Sequence, residues 1–209
     1  MNTIQRCPWA GEDPVYVQYH DTEWGVPCYD DSHLFEMLLL EGTQAGLSWI
    51  TVLKKRPAYR DLFDQFDAKK IAHYSDAKIN QLLQNPAIIR NRLKVEAART
   101  NARAYLSLMD TENSLQEFLW KFVGGEPILN HWTQHSQIPT STDASKQMST
   151  ALKKKGFKFV GETICYAYMQ AVGMVNDHLI TCFRHPNVVQ AHKVAQAIES
   201  TMTKKNNIE

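Results

Sequence analysis

The stretch Gly156-Phe157-Lys158-Phe159-Val160-Gly161 decides the fold, because it separates two segments with helical apolar spacing. We expect the first helix to end at Gly156, since glycine is the common residue just past a helix C-terminus. A second apolar helix is expected over Thr163–Val172. Two helices joined by a tight apolar hairpin form a helix-hairpin-helix element, whose second helix can hold a phosphate on its first backbone N–H groups. On this pattern alone, an ordinary turn between two helices is the alternative.

The remainder of the chain has helical rather than strand patterning. A helix is expected behind Asp30 or Asp31, because apolar residues follow at three- and four-residue spacing. Pro86 is expected in the first turn of a long helix to Leu108. Other helix caps are expected at Ser48, Asp67, Ser75 and Asn176 or Asp177. We expect a loop over 124–142 and one more amphipathic helix after Pro186. The sequence therefore predicts an all-α fold.

Composition and charge narrow the class of protein. The 209 residues suit one domain or two small, intimately packed ones, and 44% hydrophobic with 22% charged residues excludes wholesale disorder. No apolar run reaches the roughly 18–20 residues of a membrane helix, and the first residues do not resemble a signal peptide. We therefore expect a cytoplasmic protein with no membrane partner.

The net charge of +1 excludes a strongly basic coat for nucleic acid, although local patches remain possible. Two basic clusters stand out, and solvated helix faces are the alternative reading of both. They comprise Lys153, Lys154, Lys155 and Lys158, and then Arg90, Arg92, Lys94, Arg99 and Arg103.

Four residues near the two ends of the chain predict a metal site. On a helix, His178 and Cys182 would share a face because they are four residues apart. Near the start of the chain lie another cysteine and histidine, Cys7 and His20, with twelve residues between them. Two thiolates and two imidazoles suit tetrahedral zinc, and four protein ligands would make the site structural. Plain burial is the alternative for His178 and Cys182. Spacing leaves open three substitute ligands: Cys28, His33 and His185.

Aromatic residues are concentrated in the first quarter of the chain, together with one carboxylate, Glu41. A flat cationic ligand would require ring faces for stacking and a carboxylate in an apolar wall. Core packing is the alternative explanation. The aromatic residues are Trp9, Tyr16, Tyr19, Trp24 and Trp49.

Four segments closely resemble the 3-methyladenine DNA glycosylase I family: Tyr19–Pro27, Leu40–Trp49, Gly156–Gly161 and Val175–His178. The resemblance covers roughly residues 6–183. It implies an all-α, two-lobed glycosylase of the helix-hairpin-helix superfamily, forming one domain over 1–185, with a tail of unknown role over 186–209. It also implies one structural zinc on Cys7, His20, His178 and Cys182, joining the N- and C-terminal segments. A monomer is the default expectation.

The activity that the resemblance implies is hydrolysis of the N-glycosidic bond of 3-methyladenine in alkylated double-stranded DNA, after the nucleotide is flipped out of the duplex. Glu41 would hold the base and serve catalysis, with Trp49 stacking and Tyr19 adding a polar contact. Tyr16, Trp9 and Trp24 would form the walls of the pocket. Leu47, beside Gly46, would fill the gap in the DNA, and the hairpin would bind it through Lys158, Phe159, Val160 and Gly161.

The sequence departs from the wider superfamily at two positions. Thr163 stands where enzymes that also cleave the DNA strand carry a lysine, so a glycosylase without lyase activity is expected. Asn176 occupies the place of an aspartate that many relatives use, with Asp177 one residue further on. The alternative functions are a broader alkylpurine glycosylase and a zinc-containing DNA-binding protein without catalysis. A zinc hydrolase is disfavoured, since four protein ligands leave no open position.

Overall fold

The computed structural model describes residues 4–186, and within them the fold is mostly helical. None of the described helices is both long and apolar enough to cross a membrane. The α-helices, in chain order, are α1 Pro14–Thr22, α2 Asp31–Gln44, α3 Trp49–Leu53, α4 Arg56–Leu62, α5 Ala68–Ala72, α6 Asp76–Gln84, α7 Arg92–Met109, α8 Leu115–Trp120, α9 Asp143–Lys154 and α10 Glu162–Ala171. Short 3₁₀ turns lie at Pro8–Ala10, Asp64–Phe66, Lys121–Val123 and His135–Gln137.

Helix α2 is the centre of the core. Every residue from Leu34 to Thr43 is buried, and the helix packs against α3, α7, α8 and α10. The side chain of Asp30 caps the start of α2, because its carboxylate accepts the His33 N–H at 2.8 Å. The next residue, Asp31, accepts backbone N–H groups at the start of α8 and so joins the two helices.

Other predicted helix boundaries are confirmed where a single side chain sets them. Asp67 accepts N–H groups at the start of α5, and Ser75 accepts the Lys78 N–H at the start of α6. Gly156 follows the end of α9 with a φ of +94°, in the left-handed region that favours glycine. The Gly156 N–H donates to Lys153 O and the Phe157 N–H to Leu152 O, which is the Schellman arrangement of a helix end.

Two sequence-based expectations about helices are wrong. The long helix does not begin near Pro86 but at Arg92, behind the cap Asn91. Residues 178–182 form turns, not a helix. The backbone N–H groups of Leu179 and Ile180 donate to Cys7 Sγ and Trp132 O, which lie far away in the sequence. These tertiary bonds replace the helical ladder.

One strand pair interrupts the otherwise helical fold within residues 4–186. Strand β1, Ile128–Leu129, pairs in parallel with β2, Val175–Asn176, with Ile128 opposite Val175. The segment expected as a loop over 124–142 therefore contains β1 and one 3₁₀ turn. The helix expected after Pro186 lies outside the described residues, and the division into 1–185 and 186–209 stays a prediction.

The connection between α9 and α10 is held by neighbouring helices. Asn101 of α7 accepts the Lys158 N–H at 2.7 Å and donates its amide to Lys158 O at 3.1 Å. Ser149 donates to Val160 O at 2.6 Å. Gly42 of α2 leaves room for the connection, since a Cβ there would lie 3.1 Å from the Cβ of Phe159. The hairpin is therefore fixed on three sides, while the Lys158 side chain remains exposed.

Candidate active site and metal cluster

A cavity of about 170 Å³ lies between α1, α2, α3 and α10. The structure brings all six predicted pocket residues to its wall: Trp9, Tyr16, Tyr19, Trp24, Glu41 and Trp49. The wall also contains five residues that sequence reasoning missed: Gln44, His135, Ile138, Ala167 and Gln170. Gln44 lies inside the segment Leu40–Trp49, but His135 and Ile138 come from the segment expected as a loop, where no pattern indicated a site.

Glu41 is the unusual group of this cavity. Its side chain is buried, and its carboxyl has neither a hydrogen-bond nor an ion-pair partner among residues 4–186. Burial raises the pKa of Glu41 to about 8, because the charged form loses its hydration and gains nothing in return. A carboxyl kept in this state is poised for a ligand that brings positive charge or N–H donors.

Aromatic rings surround this carboxyl and leave another polar atom free. The rings of Tyr19 and Trp49 are 5.5 Å apart, and Trp9 contacts Tyr16 at 4.9 Å and Trp24 at 4.8 Å between ring centroids. The Trp49 Nε1 is buried without a hydrogen-bond partner in the described structure. Buried polar atoms are usually satisfied, so this N–H and the Glu41 carboxyl together indicate a binding site for a flat polar ligand.

The raised pKa of Glu41 predicts a pH-dependent gain in stability for Glu41→Gln. The folded state holds the Glu41 proton more tightly than the unfolded state, where the pKa is near 4.5, so this group lowers stability as pH rises from about 4.5 to 8. Glutamine removes that effect. In thermal unfolding, we expect the variant to gain stability relative to the parent protein between pH 5 and pH 9, by an amount on the order of a few kcal/mol. A difference that does not vary with pH would contradict the raised pKa.

The four predicted metal ligands converge behind the cavity. Cys7, His20, His178 and Cys182 are all buried, and their ligand atoms lie within 4.8 Å of one another. Cys7 Sγ lies 3.6 Å from His178 Nδ1, and Cys182 Sγ lies 3.5 Å from His20 Nε2 and 3.6 Å from His178 Nδ1. Zn–S and Zn–N bonds of about 2.3 and 2.0–2.1 Å at tetrahedral angles give S···N separations of about 3.6 Å. The four donor atoms and their spacing therefore fit a metal ion with tetrahedral coordination.

Outer contacts orient the two imidazoles of this cluster. His20 Nδ1 lies 2.7 Å from Asp21, which is itself held by Arg6, and His178 Nε2 lies 3.1 Å from Trp24 O. These contacts leave Nε2 of His20 and Nδ1 of His178 to face the centre of the cluster. Metal-binding histidines commonly use their second ring nitrogen in this way. Without a metal, the hydrogen bond between the two thiols lowers the pKa of Cys182 and raises the pKa of Cys7, and burial lowers the pKa of His178. Thiolate and neutral imidazole are the forms that bind metal.

Helix α1 joins the cluster to the cavity. Tyr19 faces the cavity, while the next residue, His20, faces the cluster. The Trp24 ring packs edge-on against His178 at 4.6 Å between centroids and also lines the cavity. The cluster therefore supports the cavity wall without lining the cavity itself.

The turn after α2 presents Leu47 to solvent, with 36% of its surface exposed. Lys94 of α7 fixes this turn, because its Nζ donates to Thr43 O at 2.7 Å and to Ala45 O at 2.6 Å. Gly46 has a φ of +77°, and Gln44 donates its side-chain amide to Leu47 O. An exposed leucine on a restrained turn next to Glu41 suits insertion into a partner.

The two basic clusters separate in the structure. Lys94, Arg99 and Arg103 donate to backbone carbonyls of neighbouring segments, and Arg92 contacts Asn80 and Glu96. Four of the five side chains in this cluster therefore have partners within the fold, whereas Arg90, like Arg92 and Arg103, is exposed. In the other cluster, Lys155 pairs with Glu112, whereas the side chains of Lys153, Lys154 and Lys158 are exposed.

Asn176 and Asp177 are both buried and serve the local structure. Asn176 accepts the His178 N–H and donates to His185 O. Asp177 accepts four hydrogen bonds from Asn130, Trp132, Tyr166 and Gln170 at 2.6–2.8 Å and does not line the cavity. Neither residue therefore presents a carboxylate to a ligand in the cavity.

Comparisons with known proteins show which family the chain belongs to. The methyladenine glycosylase family model matches residues 9–185. DNA-3-methyladenine glycosylase 1 of Escherichia coli is 52% identical over 183 residues, covering 88% of this chain and 98% of that protein. The DNA-3-methyladenine glycosylase of Haemophilus influenzae is 52% identical over 177 residues, covering 85% of this chain and 96% of that protein.

Comparison with solved structures points to the same family. A crystal structure of 3-methyladenine DNA glycosylase I has a TM-score of 0.86 at 54% identity, covering 87% of this chain and 100% of the other. A structure of a substituted variant of a second 3-methyladenine DNA glycosylase I, in complex with 3-methyladenine, has a TM-score of 0.84 at 38% identity, covering 87% of this chain and 97% of the other. A family match over residues 9–185, with relatives identical at half of their positions, means that this chain belongs to the methyladenine glycosylase family, whose members are glycosidases that act on N-glycosyl bonds.

Proposed function

We propose that this protein is a base-excision repair enzyme that hydrolyses the N-glycosidic bond of 3-methyladenine in alkylated double-stranded DNA. The single observation that carries the proposal is the buried carboxyl of Glu41, which has no partner in the described structure and faces an aromatic cavity. Relatives that match almost the whole folded chain are named as glycosylases of this lesion, and one such structure contains 3-methyladenine.

Recognition in this proposal is electrostatic. Methylation at N3 gives the adenine ring a positive charge while it is attached to DNA, which makes the base a good leaving group without further protonation. Trp49 stacks on the cation, an interaction worth about 0.5–2 kcal/mol. Glu41 accepts N–H hydrogen bonds from the base, and the positive charge favours its ionised form despite burial. Neutral adenine gains less from both groups.

The base reaches this cavity only if its nucleotide leaves the duplex. Leu47 then occupies the vacated space, held there by the turn that Lys94 restrains. The hairpin binds the DNA backbone, since no side chain caps the start of α10 and Lys158 is exposed beside it. This arrangement is the helix-hairpin-helix mode of binding that the sequence predicts.

The proposed reaction is monofunctional, with water as the nucleophile. Strand cleavage by a lyase step requires an amine that attacks the sugar. No lysine occurs among the residues that line the cavity, and Thr163 occupies the second position of α10. The reaction therefore ends at an abasic site and a free base.

We also propose one structural zinc per chain, bound by Cys7, His20, His178 and Cys182. The S···N separations of 3.5–3.6 Å and the outer contacts of both imidazoles support it. With four protein ligands, the ion would supply a crosslink between the two ends of the fold and no chemistry in the cavity.

Incubation of the purified protein with methylated duplex DNA tests the function directly. We expect release of 3-methyladenine, identified by chromatography, and strands that break only after a separate alkaline treatment. Release of a range of alkylpurines at similar rates would instead indicate a broader glycosylase. Binding to DNA with no base release would indicate the non-catalytic alternative.

Leu47→Gly is expected to weaken binding to a duplex with an abasic site, because the vacated space loses its apolar filler. Fully burying a leucine side chain is worth about 1.5–3 kcal/mol, so the dissociation constant should rise roughly 10- to 100-fold. Binding of free 3-methyladenine should stay nearly unchanged, since Leu47 does not line the cavity. Fluorescence titrations with labelled duplex and with free base measure the two effects.

Lys158→Ala is compared with Leu47→Gly, because it should affect DNA binding in a different way. A lysine that contacts a phosphate binds all sequences alike, so its loss should weaken binding to any duplex and reduce the salt dependence by about one charge. Identical defects of the two variants toward free base and DNA would show that the roles are assigned wrongly.

A further inference from the structure

Asp177 connects two parts of the fold through its two carboxylate oxygens. Oδ2 accepts the Tyr166 hydroxyl at 2.6 Å and Gln170 Nε2 at 2.8 Å, both from α10. Oδ1 accepts Asn130 Nδ2 and Trp132 Nε1, each at 2.7 Å, from the segment after β1. Asp177 is almost fully buried and forms no ion pair within residues 4–186. Its four partners are neutral donors.

The contact with Gln170 settles the orientation of an amide in the cavity wall. A glutamine side chain carries an NH₂ donor and a carbonyl acceptor of nearly the same shape, so its surroundings decide which one points where. A carboxylate only accepts, and therefore the NH₂ of Gln170 must face Asp177. The carbonyl Oε1 is the polar atom left for the cavity that Gln170 lines.

We infer that Gln170, held in this orientation by Asp177, is a specificity-determining residue that accepts an N–H of the bound base and rejects a carbonyl oxygen at the same place. The inference rests on the proposed function and deepens it. An alkylated adenine carries an amino group on its six-membered ring where the corresponding guanine carries a carbonyl. A fixed acceptor distinguishes the two, whereas a freely turning amide would serve both.

The inference gives Asp177 a positioning role rather than a catalytic one. Its oxygens are occupied by four donors, and it lies outside the cavity wall. Glu41 supplies the charge complementarity for any alkylated purine cation, while the locked Gln170 amide selects among such cations. Affinity for the cation and choice of base are thus assigned to different residues.

The test compares 3-methyladenine with 3-methylguanine, released from the same methylated DNA by the full-length protein. We expect Gln170→Met to lower the ratio of the two release rates about 10-fold, because methionine keeps the shape and removes the acceptor. Gln84→Met, on the exposed end of α6, is the matched control and should keep the parent ratio. An unchanged ratio for folded Gln170→Met would overturn the inference.

Asp177→Asn tests whether Asp177 sets the orientation of the Gln170 amide. An asparagine can offer its carbonyl or its amide, so the Gln170 side chain is free to turn, and the ratio should fall in the same direction. In the Gln170→Met background, Asp177→Asn should change the ratio no further, since the orientation no longer matters. If Asp177→Asn lowered the ratio by the same factor with and without Gln170→Met, Asp177 would act independently of Gln170. If Asp177→Asn fails to fold or loses metal, Gln170→Met alone decides.

Titration of the free bases separates this inference from the proposed function. A parent protein that binds and releases 3-methyladenine, with a ratio insensitive to Gln170, overturns only the inference. A parent protein that neither binds nor releases any methylated purine overturns both.

Discussion

Replacing Glu41 by glutamine is expected to slow the release of 3-methyladenine from alkylated DNA roughly 10- to 100-fold. Glutamine keeps the shape but cannot carry the negative charge that the cationic base requires. Hydrogen bonds to charged groups contribute about 1.5–3 kcal/mol, and each 1.4 kcal/mol is tenfold in rate. Single-turnover release from methylated duplex measures the effect, and calorimetry with free 3-methyladenine should show weaker binding.

The matched control is Glu96→Gln, which removes a half-buried carboxylate of α7 that pairs with Arg92 away from the cavity and should leave both measurements unchanged. Unfolding curves check that the Glu41→Gln protein is folded, and its gain in stability at alkaline pH identifies the group that was removed. A folded Glu41→Gln protein with full activity would refute the assignment of the cavity as the base pocket.

Cys182→Ala is expected to cause a large loss of stability, with one equivalent of zinc lost. The metal would join Cys7 to Cys182, which are 175 residues apart in the sequence. If metal closure acts like a covalent crosslink, it stabilises the fold by up to about 4–5 kcal/mol. For a chain of this size, this corresponds to a decrease in melting temperature of about 10–20 °C. Metal analysis and thermal unfolding measure both results.

Cys165→Ala is the matched control for this variant, because Cys165 is equally buried but lies outside the cluster. It should keep its zinc. The folded fraction of Cys182→Ala should still bind 3-methyladenine, although His20 adjoins Tyr19 and a displaced ligand can tilt that ring. Protein purified without chelator that contains no zinc would refute the metal proposal. A stable but inactive Cys182→Ala protein would indicate a catalytic metal instead.

The features that could be predicted from the sequence are those that depend on few neighbouring residues. Asp30, Asp67 and Ser75 cap helices because each side chain reaches an N–H two or three residues away. Gly156 ends α9 for a similarly local reason. The metal cluster was predictable in another way, since two thiols and two imidazoles have few chemical uses in common.

The remainder depends on partners that the local pattern does not contain. Ahead of α7, for example, the Ile89 N–H donates to the Tyr59 hydroxyl, 30 residues away, rather than to a helical carbonyl. The turn at 178–182 likewise depends on Cys7 and Trp132. The orientation of the Gln170 amide likewise depends on Asp177, which lies beyond the end of α10 and accepts its NH₂. None of these contacts has a periodicity that a sequence could display.

The basic side chains of α7 also bear on how such an enzyme would search a genome. Lys94, Arg99 and Arg103 donate to internal carbonyls, which fixes where these three charges lie on the molecule. Nonspecific affinity depends on the number of phosphates neutralised, and this chain has a net charge of only +1. The salt dependence of binding to undamaged DNA then rests on the exposed cations, among them Lys158. A base that entered the cavity would add the contacts of Glu41 and Trp49 to this binding, so residence would be longest at a damaged site.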